Sequence, residues 1–271
     1  MSYTLACSSI IYHSMKVSLI MRPRLLLYLL LMMVSSSAIG ESEPLTACYA
    51  DWPPYSYQVD GKPAGISIEI YNAILQRADI KVNYSKMPWA RCKAEFLSGK
   101  VDLLVDGDIS IPNSLHIEQG PVLWILIFWV HQDSPFGDFK GYSQFENQSI
   151  GYVRDYGYPR DFIEYQGFRE KYDVLDDLQG LKMLAKGRLQ AFFGDVISST
   201  FLVNRHQLKL NALGPAMKIR FLTLSFGKQH LAQHTDFNRA FMTMLNDGSI
   251  DDIYKKHLGM SYHELLEKYG D

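Results

Sequence analysis

The chain has 271 residues, 47% of them hydrophobic, and a formal net charge of −2. That is enough apolar material for one large or two modest domains, and the near-neutral balance, with no basic run, excludes a nucleic-acid surface. Three cysteines, Cys7, Cys48 and Cys92, are too few for a disulfide scaffold.

The first forty residues differ from the rest. Arg22 and Arg24 precede the apolar run Leu25–Val34, and small residues follow to Gly40. This pattern predicts a secretory signal cleaved before Glu41, and hence a periplasmic protein. The run is too short to cross a bilayer as a helix, which needs about 20 residues. Residues 1–20 fit no part of such a signal, so Met15 and Met21 join Met1 as candidate starts. Cleavage removes Lys16, Arg22 and Arg24 but no acid, which leaves a formal −5 from 24 basic and 29 acidic residues. It also leaves Cys48 and Cys92 as an even pair. A bridge between them would stabilise by roughly 3–4 kcal/mol in the chain-entropy model, and export to an oxidising compartment favours it. Two buried thiols are the alternative.

In chain order, Leu45–Ala50 is a β-prone strand stopped by Asp51-Trp-Pro-Pro-Tyr55, whose paired prolines forbid helix. Residues Ser56–Pro63 predict a hairpin turning at Asp60-Gly61. Ile66, Ile70, Ile74 and Ala78 recur at helical spacing, which predicts a helix over Ile66–Arg77. A second strand follows over Ile80–Tyr84. The next helix opens at Met87-Pro-Trp-Ala90 and ends at Gly99. A third strand runs into Asp106-Gly-Asp108. Strand–helix–strand–helix–strand is the pattern of a wound parallel sheet. Val122–Val130 is wholly apolar and reads as a strand buried on both faces. The second half begins with a strand at Ser149–Val153, then a helix over Asp161–Tyr172 and a short strand at Val174-Leu175. A helix over Asp177–Lys186, a strand at Leu189–Gly194 and a helix over Ser198–Arg205 follow. A returning strand at Phe221–Phe226 precedes two closing helices, Asp236–Leu245 and Ser249–His257, the latter capped by Ser249 and ended at Gly259.

One unit is written twice. Leu97-Ser-Gly-Lys-Val-Asp-Leu-Leu-Val-Asp-Gly-Asp108 is echoed by Leu184-Ala-Lys-Gly-Arg-Leu-Gln-Ala-Phe-Phe-Gly-Asp195. Each reads as a helix end, a glycine turn and a strand that terminates in acid. Ligands of open α/β sheets bind beyond the carboxyl ends of strands, so Asp106, Asp108 and Asp195 mark the place to look.

No H-x-x-x-H, H-E-x-x-H or Cys-x-x-Cys pattern occurs, so no metal is expected. No G-x-S-x-G, G-x-G-x-x-G or P-loop motif occurs either, and no cofactor is implied. The strand-end residues are of binding type. Trp52, Tyr55 and Trp89 offer flat walls, Asp106, Asp108 and Asp195 accept a cation, and Arg91 and Arg154 offer forks to an anion.

The motif order resembles family 3 of the periplasmic solute-binding proteins of ABC transporters, which bind polar amino acids. The marks are Trp52-Pro-Pro-Tyr55, Asp60-Gly61 leading into Gly65-Ile-Ser-Ile-Glu69, and Trp89 ahead of Leu97-Ser-Gly-Lys-Val-Asp102. Then come Ile150-Gly-Tyr-Val153, Gly187-Arg-Leu-Gln-Ala-Phe-Phe-Gly-Asp195, and Leu245-Asn-Asp-Gly-Ser-Ile250. Together they span about 44–260.

The resemblance implies two wound α/β lobes joined by two crossover strands, near Val122–Leu126 and Leu222–Ser225, that close on ligand by hinge motion. The lobes would be 41–124 with 224–271, and 125–223, after an extension and signal at 1–40. A monomer is implied, with an ABC permease or a membrane sensor as partner. Trp52 and Trp89 would sandwich the ligand, Asp195 would receive its ammonium, and Tyr156 and Gly157 would add donors from the second lobe.

The family's Thr-x-x-Arg, whose arginine clamps the ligand carboxylate, is missing after the third strand. Ser114 or Leu115 stands there instead. Losing such a fork costs on the order of 2–5 kcal/mol of binding. Either Arg91 or Arg154 replaces it, or the ligand is a cation without that carboxylate. Some relatives dehydrate cyclohexadienyl acids, and that enzymatic alternative would draw its general acid from Asp106 or Asp108.

Overall fold

A computed structural model describes residues 43–270. The expected signal segment and Cys7 lie outside the described residues. Eleven strands and eight α-helices follow one another along the described chain.

β1 (Leu45–Tyr49), β4 (Val82–Lys86) and β5 (Leu103–Gly107) form a parallel sub-sheet with β1 in the middle. Between them lie the hairpin β2 (Tyr57–Val59) and β3 (Lys62–Ala64), and the helices α1 (Ile66–Arg77) and α2 (Trp89–Leu97). The hairpin turns on Asp60 and Gly61, both at positive φ (49° and 76°), the conformation that an Asp-Gly pair supplies. α1 buries Ile66, Ile70 and Ile74 with Leu75, the face its spacing predicts. Cys48 of β1 and Cys92 of α2 are joined in a disulfide, with Cα atoms 5.6 Å apart. The bridge pins the helix to the strand whose end carries Trp52.

A second parallel sub-sheet holds β8 (Ser149–Val153), β9 (Glu170–Val174) and β10 (Ala191–Asp195). Its helices are α3 (Arg160–Glu164), α4 (Asp177–Ala185) and α5 (Val196–His206). Two long strands join the sub-sheets. β7 (Val122–His131) is buried from Val122 to Val130, as its unbroken apolar run requires. β11 (Leu210–Gly227) lies antiparallel to β7 over most of its length and then pairs with β5 through Thr223, Ser225 and Phe226. The full order is β4-β1-β5-β11-β7-β10-β8-β9, with the short β6 (Ser114–Leu115) on β11. The chain ends in α6 (Leu231–Asn246), α7 (Ser249–Leu258) and α8 (Tyr262–Tyr269). The fold is the expected wound α/β class with two crossover strands.

The two copies of the repeat align on their turn glycine. Gly99 and Gly187 both take positive φ (72° and 67°), and in each copy the strand begins four residues and ends eight residues beyond that glycine. Asp195 therefore corresponds to Gly107, not to Asp106 or Asp108. Side chains alternate along a strand, so the acid of the second copy is offset by one from the acids of the first.

Several elements differ from expectation. The helix expected over Asp161–Tyr172 ends at Glu164, and Glu170–Val174 is a strand paired to β8. The Lys171 ammonium caps that short helix by donating to the carbonyls of Phe162, Ile163 and Tyr165. The returning strand is far longer than Phe221–Phe226, because β7 offers it a partner edge from Leu210 onward. Gly248, not Ser249, occupies the N-cap of α7. A third closing helix, α8, starts at a complete capping box between Ser261 and Glu264.

Candidate ligand-binding site

The carboxyl ends of β1, β5 and β8 open onto one cavity of about 390 Å³, set between the two sub-sheets. Its volume is that of a small-molecule site. β1 delivers Trp52 through the proline-stiffened loop, and Trp52 stacks on Tyr55 with ring centroids 4.1 Å apart. α2 begins with Trp89, β7 contributes Trp124, and the loop after β8 contributes Tyr156. Tyr156 is the centre of this group: the rings of Trp52, Trp89 and Trp124 lie 6.2, 6.4 and 5.9 Å from it, each edge to face. The Trp89 indole N–H donates to the Asp155 carbonyl at 3.2 Å, which ties α2 to the second sub-sheet.

The polar groups are mainly acidic. Asp106 is buried at positive φ (58°) and accepts from Tyr71 Oη at 3.0 Å and Ser56 Oγ at 3.4 Å. Burial pushes its carboxyl up to about 6, against the opposing pull of those hydroxyls. Asp108 is held on both oxygens. Oδ1 accepts from the Ser110 N–H and Oγ at 2.9 and 2.5 Å, and Oδ2 pairs with Arg220 Nη2 at 2.5 Å. Arg220 of β11 is the cross-strand partner of Trp124 in β7, its guanidinium carbon 6.0 Å from that ring. Lys93 and Asp155 complete the charged lining.

Of the residues singled out in the sequence, Trp52, Trp89, Asp106, Asp108, Tyr156 and Gly157 line this cavity together. Tyr55, Arg91, Arg154 and Asp195 lie off it. Arg91 is 67% exposed and pairs with Glu95 one helical turn on. Arg154 is 55% exposed and pairs with Asp173 across β8 and β9. Neither arginine takes the place of the missing clamp in the lining.

Asp195 is fully buried and caps α5, accepting from the Ser198 N–H (2.6 Å) and the Ile125 N–H (2.9 Å), with Tyr55 Oη 3.1 Å from it. Burial raises its carboxyl to about 7 despite these donors. Its position follows from the one-residue offset of the repeat: Asp195 points at β7 and Tyr55, while Asp106 and Asp108 face the cavity. Together with Ser198 Oγ, which donates to the Pro53 carbonyl at 2.8 Å, it fastens the Trp52–Tyr55 loop to α5.

Trp124, Arg220, Lys93 and Asp155 were missed in the sequence. Trp124 was absorbed into an apolar run that reads as core, and Arg220 comes from 112 residues beyond its partner. Among the described residues no group of three His, Cys, Asp or Glu could hold a metal, and no helix is long and apolar enough to cross a membrane.

A wound α/β fold with two crossover strands and a cavity at the strand ends between its halves is the architecture of type II periplasmic binding proteins. The sequence model of "Bacterial extracellular solute-binding proteins, family 3" matches residues 45–113. The resemblance to that family is thus shown in sequence over this segment, which contains Trp52, Trp89, Asp106 and Asp108.

Among solved structures, a histidine kinase sensor domain with similarity to periplasmic binding proteins matches with a TM-score of 0.71 at 17% identity, over 82% of this chain and 98% of its own. An ancestral arginine-binding protein bound to arginine matches at 0.68 and 17%, over 81% and 100%. The arginine-, lysine-, histidine-binding protein ArtJ from Geobacillus stearothermophilus matches at 0.67 and 16%, over 84% and 100%. At these identities the likeness is one of fold. No curated protein matches the chain in sequence.

Proposed function

We propose that the protein is a periplasmic solute-binding protein that captures a small, polar, amine-bearing solute between two lobes and presents it to an ABC permease. The lobes are 41–124 with 224–271, and 125–223, hinged at β7 and β11. One observation carries the reading: three tryptophans and Tyr156 surround a cavity whose polar groups are chiefly Asp106, Asp108 and Asp155. Flat aromatic faces attract a cation through their quadrupole, and Asp106 supplies a carboxylate for the ammonium. In this reading Asp195 and Tyr55 support the site by fixing the loop that carries Trp52, and Arg91 and Arg154 remain on the surface. Function is closure rather than chemistry: ligand bridges the halves, and the partner recognises the closed form. A sensor partner in place of a permease has support in the likeness to a histidine kinase sensor domain.

A second reading, a dehydratase acting on a cyclohexadienyl acid, is favoured by the Asp106 carboxyl, which at about 6 is poised as a general acid. Its substrate is a carboxylate, for which this acidic lining is poorly suited. Thermal melting of the protein against amines, amino acids and organic acids separates the two. The binding reading expects a saturable rise in Tm with an amine. Turnover of prephenate-like acids, with no amine raising Tm, would replace it with the enzymatic one.

A further inference from the structure

In the Asp108–Arg220 pair an arginine already holds a carboxylate, through one contact from Nη2 to Oδ2 at 2.5 Å. Arg220, on β11, is not itself in the lining, and its partner Asp108, which is, is the protein's own carboxylate. That carboxylate cannot swing aside easily. The Ser110 N–H and Oγ hold its other oxygen, and Gly157 from the opposite sub-sheet roofs it so closely that a Cβ there would stand 2.7 Å from Asp108 Oδ2. The pair is largely withdrawn from water, with side chains 17% and 7% exposed. Separating it to admit a second carboxylate would leave one buried charge without a partner. Lys93 is the one basic residue among the described residues that line the cavity, and it faces a lining that contains three acids.

We infer that Asp108 is an internal surrogate for the carboxylate of an amino acid, and that with Arg220 it restricts the site to carboxylate-free organic cations: primary amines or quaternary ammonium compounds. The inference rests on the solute-binding reading and narrows it to a substrate class. Arg220 is a positioning residue, locked by Asp108 against Trp124, and Asp108 is the specificity determinant. The aromatic walls then meet the cation's apolar body and charge, and Asp106 its ammonium.

Titration calorimetry with matched pairs tests this: cadaverine against lysine, tyramine against tyrosine, choline against glycine betaine. In the wild-type protein the carboxylate-free member of at least one pair should bind about ten-fold or more tighter than its counterpart. Asp108→Ala releases the Arg220 fork, so the carboxylate-bearing member should gain about ten-fold relative to its partner. If Asp108→Ala does not fold, Asp108→Asn, which removes the charge but keeps an acceptor for Ser110, is read the same way. A wild-type protein that binds the amino acid member as tightly or more tightly overturns the inference and leaves the solute-binding reading standing. A folded Asp108 variant with an unchanged ratio also overturns it. Binding of no member of any pair overturns both.

Discussion

Asp106 concentrates the chemistry of the site in one residue. It combines burial, a left-handed backbone and hydroxyl donors from Tyr71 and Ser56, and its carboxyl is raised to about 6. A cation needs the ionised form. Above about pH 6 that form prevails, and below it a proton competes with the ligand. Affinity for an amine should therefore fall about ten-fold between about pH 8 and about pH 5, since roughly a tenth of the carboxylate stays ionised one unit below its midpoint. Calorimetry at the two pH values reads this directly, and Asp106→Asn should bind weakly and equally at both. Asp106 and Asp108 were legible in the sequence because they close a strand in a wound sheet. Arg220 was not, because its partner is set by the long antiparallel pairing of β11 with β7, which no local pattern encodes.

At the scale of elements, α8 shows what a cap contributes. Ser261 Oγ accepts from the Glu264 N–H at 3.0 Å while the Glu264 carboxylate takes the Ser261 N–H at 2.6 Å. α8 packs its buried Tyr262 and Leu265 beneath α7 and β11, with Tyr262 Oη donating to the Gly120 carbonyl. Ser261→Ala should lower stability by about 1 kcal/mol in urea denaturation without touching the cavity.

The capping box is written in the sequence as Ser261-Tyr-His-Glu264, just beyond the span of the family resemblance, which ends near residue 260. The helix expected to Tyr172 failed for a different reason. Its apolar spacing does not reveal that Lys171 folds back onto the carbonyls of α3, nor that Glu170–Val174 finds a parallel partner in β8. Where periodicity and burial agreed, as in α1 and β7, the sequence reading and the structure coincide. The Cys48–Cys92 bridge, one of two open alternatives in the sequence, is present, and a loop of this size adds roughly 3–4 kcal/mol.

At the scale of the whole molecule, two long strands carry the chain between halves that, among the described residues, share no other sheet pairing. Contacts that cross between those halves include Trp89 to the Asp155 carbonyl and Gly157 over Asp108 at the cavity, and Ser198 to the Pro53 carbonyl and Tyr55 to Asp195 off it. In the proposed reading a ligand held in the cavity would touch both halves and favour their approach, which would make binding a conformational signal. Trp52, Trp89 and Trp124 all line that space, so the protein carries its own reporter. The most direct test is a tryptophan fluorescence titration with a panel of small amines. The site described here predicts a saturable change at a stoichiometry of one ligand per chain, abolished by Asp106→Asn together with Trp89→Ala. A folded protein whose emission shows no saturable response to any amine would contradict it.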